Sequence, residues 1–292
     1  MQLANTLLGK DLNSPVFEIH FPASRILFEK ETIICITGAD FFPTLNDQAI
    51  PLDRPIAVSK KSILKFDKLQ SGSRCYLSII NEMKIDKWMN SYSTNLKSGT
   101  GGFKGRSLLK NDVILFHNGL NISRLLNERD FVVFPWKAND VVDSRHEIEF
   151  LIGSEWHWLT NDAQETFQEH WFQITNEADR MGYQLAGQPL EVRNNEQLIS
   201  SAVSFGTVQL LPNGQLIILM ADHQTAGGYP RVAQVISAHL SILGQKKPND
   251  VIKFKMTSLE EAEKKIVNQK KYLLQLQIAC KFKMEEFLYA HL

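Results

Sequence analysis

From residue 15 to about residue 120, apolar positions come in short or alternating runs at 16–21, 32–37, 56–58, 63–66, 76–80 and 113–116, separated by Gly, Pro, Asn and Asp. Runs of this kind predict strands, and many short strands predict a barrel or sandwich in place of a doubly wound sheet. Residues 1–9 predict an amphipathic helix closed by Gly9. Polar, irregular sequence at 118–130, the apolar stretch 131–136 and a polar 137–140 place a domain boundary within 118–143. The pattern then restarts: strands at 148–153, 172–175, 216–220 and 251–255, a helix at 162–171, and mixed helical spacing at 231–243. Ser258-Leu259-Glu260-Glu261 is a capping-box pattern opening a long helix. Leu259, Ala262, Ile266, Leu273, Leu276, Ala279 and Phe282 give that helix a stripe to dock on its own barrel or on a partner. The fold class expected is mainly β with peripheral helices, divided as 1–140, 141–257 and a C-terminal helix 258–292.

Charge and composition narrow the function classes. The 292 residues are 43% hydrophobic and 10% aromatic, enough for sizeable cores. The 32 basic and 32 acidic side chains cancel, so no net field recruits nucleic acid or an anionic membrane, and a small-molecule ligand or a protein partner is expected. No apolar run reaches a membrane span and no signal-like start is present. With three unclustered cysteines, Cys35, Cys75 and Cys280, this predicts a cytoplasmic protein with reduced structural thiols. The histidines show no metal-ligand spacing, so no metal site is expected.

The stretch with most chemistry is 221–231, A-D-H-Q-T-A-G-G-Y-P-R. Between a predicted strand at 216–220 and the helical spacing from 231, it predicts a strand-to-helix turn, with Gly227 and Gly228 at positive φ and Pro230 at the first helical position. Such a helix start favours an anion, and Arg231 offers a bidentate partner for carboxylate or phosphate. Asp222, His223, Gln224, Thr225 and Tyr229 crowd around it. The same residues fit a purely structural turn capped by Thr225, with Asp222 and Gln224 tying down loop amides. Two further candidates are the loop 99–106, G-T-G-G-F-K-G-R, which lacks the ending of a phosphate-binding Walker loop, and the box 179–183, D-R-M-G-Y. Arg106 in the first suits holding a carboxylate or stabilising an oxyanion. Arg180 in the second fits either a ligand site or a pair with an acidic neighbour.

Taken together, these motifs resemble a known family. D-x-Q-T-x-G-G-Y-P at 222–230 resembles the signature of the family of 5-oxoprolinase C subunits, also described as allophanate hydrolase subunit 2 or biotin-dependent carboxyltransferase-like proteins. Gly206-Thr207-Val208-Gln209 followed by Pro212-Asn213-Gly214-Gln215 resembles its G-x-(I/V)-Q then P-x-G-Q hairpin, and the 179–183 box resembles its N-R-M-G-Y. Thr37-Gly38-Ala39-Asp40 and Gly101-Gly102-Phe103-Lys104-Gly105-Arg106 resemble its T-G-A-D turn and G-G-x-x-G-R loop. The match weakens at Gly153-Ser154-Glu155, where the family generally has G-P-Q. Family members carry some tens of residues before the present start, with a Q-D-x-G-R motif and a G-A-M-D segment. The resemblance therefore implies two cyclophilin-like barrel subdomains, the first incomplete.

The resemblance implies a subunit of an ATP-dependent complex that opens 5-oxo-L-proline to L-glutamate, active only with its sister subunits B and A, with ATP and its Mg as cofactors of the complex. Asp222, His223 and Tyr229 then become the catalytic candidates, and Arg106, Arg180, Gln224, Thr225, Gly227, Gly228 and Arg231 the substrate-binding ones. Two alternatives stay open. One is a carboxyltransferase acting on urea or a similar amide, with biotin arriving on another protein because Phe254-Lys255-Met256 and Phe282-Lys283-Met284 lack the M-K-M of a biotinyl site. The other is a non-enzymatic antagonist of a histidine-kinase inhibitor.

Overall fold

A computed structural model describes residues 1–138, 146–193 and 198–291. The chain divides into two units, Met1–Val141 with Lys270–Leu292, and Val142–Gln269. The expected boundary at 140 falls outside the described residues.

The first unit opens with α1 (Gln2–Leu7) and continues through β1 (Phe17–Ile19), β2 (Ile26–Leu27), β3 (Thr32–Asp40), β4 (Pro43–Leu45), β5 (Gln48–Ala49), β6 (Pro55–Val58), β7 (Ile63–Phe66) and β8 (Ser71–Ile79), then α2 (Ser123–Leu126) and β9 (Phe131–Val133). One antiparallel sheet has the order β1-β8-β3-β6-β9 and a second the order β2-β7-β4-β5. The run Thr32-Ile33-Ile34-Cys35-Ile36 is apolar without alternation because β3 is covered on both faces. Ile34 and Ile36 face a core with Phe41, Leu64 and Leu77. Ile33 and Cys35 face a second core with Ala4, Leu7, Phe134, Trp136, Cys280 and Met284. Gly9, at φ +69°, lets the chain pass Lys281 so closely that a Cβ would stand 2.9 Å from its Cα. An incomplete barrel was expected here, and among the described residues neither sheet of this unit closes. The strand expected at 113–116 is also absent. Phe116 makes only an isolated bridge to Met83, while Val113 and Leu115 are 65% and 60% exposed.

The second unit contains β10 (Glu147–Ile152), α3 (Asn161–Glu169), β11 (Trp171–Ile174), β12 (Gly182–Ala186), β13 (Ser201–Ala202), β14 (Thr207–Leu210), β15 (Leu216–Leu219), β16 (Ala226–Gly227), β17 (Arg231–Val235), α4 (Leu240–Leu243), β18 (Val251–Met256) and the first turns of α5 (Leu259–His291). Seven of its strands form a closed barrel, β10-β17-β14-β15-β12-β11-β18, shut by the parallel pairing of β10 with β18. Its interior is aromatic: Phe167 of α3 stacks on Phe254 with centroids 4.4 Å apart, and Phe150 meets Phe167 edge-on at 4.9 Å. Thr160 starts α3 by accepting a hydrogen bond from the Ala163 amide at 3.2 Å.

The largest correction concerns 231–243. Its first five residues form β17, inserted between β10 and β14, and only Leu240–Leu243 is α-helical. Val232, Ala233 and Val235 suit a pleated, buried strand as well as one turn of helix, and the barrel supplies the partners that decide it. The C-terminal helix begins as its capping box predicts, with the Glu261 amide donating to Ser258 Oγ at 3.2 Å. Its buried face differs from the expected stripe: Ala262, Cys280 and Met284 are buried, whereas Leu259 and Phe282 are 62% and 70% exposed and Ala279 is exposed. The protein is thus mainly β with peripheral helices. Among the described residues, no helix is long and apolar enough to cross a membrane.

Candidate functional site

The turn 221–230 leaves the barrel at the end of β15 and returns into β17, so it joins strand to strand. No helix starts at Pro230, and the anion site expected from a helix N-terminus does not form. Midway, β16 pairs with β13, matching Ala226 with Ala202 and Gly227 with Ser201. The Val203 amide donates to the Thr225 carbonyl at 3.1 Å, so Thr225 holds the ribbon through its backbone and caps no helix. Neither Gly227 nor Gly228 takes positive φ. Gly227 is needed for space: a Cβ there would stand 2.6 Å from Gln209 Nε2. That amide donates to the Tyr229 carbonyl at 3.3 Å, and Gln209 is 1% exposed, so it supports the turn from beneath.

Arg180 and Asp222 come together. The 179–183 box is zipped to the turn by two backbone bonds, Asp222 N–H to Arg180 O at 2.8 Å and Met220 N–H to Met181 O at 2.9 Å. Across this frame Arg180 Nε donates to Asp222 Oδ2 at 2.7 Å and Nη2 to Oδ1 at 3.3 Å. Asp179 caps its own turn, accepting from the amides of Met181 and Gly182 at 2.7 and 3.0 Å. His223 Nδ1 bonds the Gln224 carbonyl. Gln224, Thr225 and Tyr229 are exposed, Tyr229 by 44%.

Arg231 is held by Glu155, a residue at which the sequence departs from the family's G-P-Q. Its Nε and Nη2 donate to the two carboxylate oxygens at 2.9 and 2.8 Å, its amide donates to Oε2 at 2.9 Å, and Nη1 donates to the Ala202 carbonyl at 3.1 Å. The Arg231 guanidinium pulls the Glu155 carboxyl below its ordinary value, and Glu155 in turn raises Arg231. Arg231 therefore clamps this chain's own carboxylate. Beside the clamp lies a groove of about 400 Å³ whose lining includes Gly153, Ser154, Ser204, Thr207, Arg231 and Gln234. Thr207 and Ser204 hydroxyls donate to Gln234 Oε1 at 2.9 and 3.2 Å. Thr207 and Gln209 were visible in the sequence as the G-x-V-Q motif and Glu155 only as a departure from the family pattern; nothing local pointed to Gln234.

Arg106 lies in the other unit. Its Nη1 and Nη2 donate to Asp112 at 2.6 and 2.9 Å, and its guanidinium lies 5.7 Å from the Phe103 ring centre. The same pair, with the Leu109 amide, holds the Asp112 carboxyl well below the usual carboxylate range. The glycines of this loop fit its own packing: a Cβ on Gly101 would meet Ser93 O at 2.3 Å, and one on Gly105 would meet Gly99 O at 1.9 Å. All three cysteines are buried and free, and burial pushes the Cys75 thiol up to about 12 and Cys280 to about 11, so neither supplies a thiolate nucleophile.

Over 280 residues the chain is 32% identical to the 5-oxoprolinase C subunit of Haemophilus influenzae, covering 95% of this chain and 86% of that protein. It is 34% identical over 276 residues to the 5-oxoprolinase C subunit of Escherichia coli, covering 94% and 86%. The crystal structure of the urea amidolyase of K. lactis matches with a TM-score of 0.82 at 24% identity over 94% of this chain, which spans 17% of that longer one and shares its fold there. The carboxyltransferase domain family, subdomains A and B, matches residues 1–256. The chain belongs to that family.

Proposed function

We propose that this chain is a subunit of an ATP-dependent 5-oxoprolinase complex, working with subunits B and A to hydrolyse 5-oxo-L-proline to L-glutamate. The observation that carries the reading is 32% identity to a protein named as the C subunit of 5-oxoprolinase across 95% of the chain, with every residue of the 222–230 turn signature present. A lactam carbonyl is a poor electrophile, so its oxygen must be phosphorylated or strongly polarised before water adds. Arg180–Asp222 and Arg231–Glu155 are each neutral as pairs, which suits the uncharged lactam end of the substrate and leaves its carboxylate to be met outside these pairs. In this reading Asp222, fixed by Arg180, and Gln224 orient the lactam, and His223 or Tyr229 moves the proton. Gly228, where a Cβ would meet nothing closer than 3.5 Å, lets the ring approach the backbone beside Thr225, and Gly227 makes room for the Gln209 amide that supports the turn. Arg231 acts as a positioning residue at the turn, since it already holds Glu155, while Arg106 positions the 99–106 loop of its own unit, where it holds Asp112.

No ATP step is assigned to this chain. The 99–106 loop packs against itself, Arg106 is neutralised by Asp112, and among the described residues no group of three or more His, Cys, Asp or Glu is placed to hold a metal ion. Nucleotide activation belongs to another subunit.

The test is ATP-dependent glutamate release from 5-oxoproline by this chain co-expressed with its neighbouring subunits, wild type against Tyr229→Phe and Asp222→Ala. The expected result is robust turnover by wild type and a loss of about 100-fold or more in kcat for one or both variants. Wild-type turnover unchanged by either substitution would remove the chemistry from this turn. A well-assembled but inactive complex would favour the carboxyltransferase reading that the matched family's description supports, to be checked by carboxyl transfer from a biotinylated carrier protein to urea.

A further inference from the structure

The helix α5 (Leu259–His291) carries two apolar faces. Cys280 and Met284 point into the first unit's core. On the opposite face Leu274, Ile278 and Phe282 are 53%, 50% and 70% exposed. Four-residue steps keep these three on one side of the helix, and Lys271 and Glu285, three residues beyond each end, share that side. Both charged residues are exposed, and among the described residues neither makes an ion pair. The spacing from Lys271 to Glu285 is therefore symmetric about Ile278, in steps of three, four, four and three. Size and polarity follow the same symmetry, while charge reverses across it.

We infer that residues 271–285 form a self-association surface, on which a second copy of this chain docks its α5 antiparallel about a twofold axis through Ile278. In that arrangement Ile278 meets the partner's Ile278, Leu274 meets the partner's Phe282, and Lys271 meets the partner's Glu285, each twice by symmetry. A parallel pairing in register would set Lys271 against Lys271 and Glu285 against Glu285, which is repulsive. A partner of different sequence places no demand for symmetry on this face, whereas a second copy demands that the stripe match its own reverse. The balanced charge of the chain, 32 basic against 32 acidic residues, adds no net repulsion between copies. The face is about 21 Å long at 1.5 Å per residue, shorter than a standard interface, so the dimer is weak, with a Kd of the order of tens of micromolar.

Sedimentation velocity on the full chain, from about 1 to about 200 µM, reads this directly. Wild type shifts toward dimer with concentration. Ile278→Glu, which places two like charges on the axis, weakens association at least about tenfold. Lys271→Glu and Glu285→Lys each weaken it by roughly threefold to fivefold, and the double reversal restores it, because the swapped charges again face each other. Ile278→Cys gives a covalent dimer on mild oxidation, while wild type, whose three cysteines are buried, does not. All positions are exposed, and circular dichroism checks that each variant is folded. A chain that stays monomeric throughout, a dimer indifferent to Ile278→Glu, or a double reversal that fails to restore association would overturn the proposal. So would a wild-type monomer whose binding to another subunit is lost in Ile278→Glu, since that result assigns the face to a different occupant.

Discussion

Glu155 accepts three hydrogen bonds from one residue, the Arg231 guanidinium twice and its amide once. A carboxylate so held is stabilised in its charged form, which depresses its folded pKa below the ordinary 4.5. The pair's contribution is therefore present above the unfolded value and is lost as pH falls below it through the depressed folded value. Glu155→Gln is expected to lower stability by about 1–3 kcal/mol at neutral pH, leaving Arg231 without its counter-charge. It should also flatten the acid limb, so that wild type and variant converge as pH falls from the ordinary 4.5 through the depressed folded value in urea-unfolding measurements. A constant gap down to acid pH would show that packing, and not ionisation, accounts for the loss. Gly227 makes a separate residue-scale point. An added methyl must displace the buried Gln209 amide, which stands 2.6 Å from that Cβ and donates to the Tyr229 carbonyl. Gly227→Ala is expected to cost about 1 kcal/mol of stability and to lower turnover of the assembled complex about tenfold through the displaced Tyr229, with substrate KM and kcat read separately.

Strands β10 and β17 show what one close approach requires. Where β10 ends, Gly153 passes so near β17 that a Cβ would lie 2.1 Å from Arg231 O and 2.7 Å from the Val232 carbonyl carbon. Backbone atoms cannot swing aside as side-chain ends do, so Gly153→Ala must open the β10–β17 pairing, whose register matches Ile152 to Ala233. A loss of about 3 kcal/mol or more, seen as a lowered thermal midpoint with reduced hydrogen-exchange protection at Val232 and Ala233, is the expected outcome. This pairing also explains what the sequence could reveal. Strands at 32–37, 63–66 and 251–255 were legible because each apolar or alternating run is long enough to be a strand by itself. Ser258 was legible as a cap because its partner, the Glu261 amide, is three residues away. At 231–235 the spacing fits strand or helix, and the choice is made by β10 and β14, which lie far away in sequence. The site divides in the same way. The candidate stretch 221–231 stands out locally by its glycine and polar residues, but the partners of Arg180 and Arg231 sit 42 and 76 positions away, where no spacing rule reaches.

For the whole molecule, the proposed oxoprolinase reading requires a nucleotide site somewhere in the assembly. A phosphate site needs amides or cations turned outward and unclaimed. In this chain the glycines at 101 and 105 fit against Ser93 and Gly99 carbonyls, Arg106 is bound bidentately by Asp112, and Arg231 is bound by Glu155. The 32 cations are matched by 32 anions, so no general positive field gathers a polyphosphate. A ligand that binds only the folded state raises stability by RT ln(1 + [L]/Kd), about 2.7 kcal/mol at a hundred times Kd. Millimolar MgATP should therefore leave the thermal midpoint of the isolated chain unchanged to within about half a degree, because even a micromolar site would move it by several degrees. The assembled complex, measured alongside, should shift. A clear rise for the isolated chain would put a nucleotide site on this subunit and reopen its glycine loop as the first place to look. If only the complex shifts, nucleotide binding is assigned to a partner, which is what the proposed reading, with the lactam held at the turn between β15 and β17, requires.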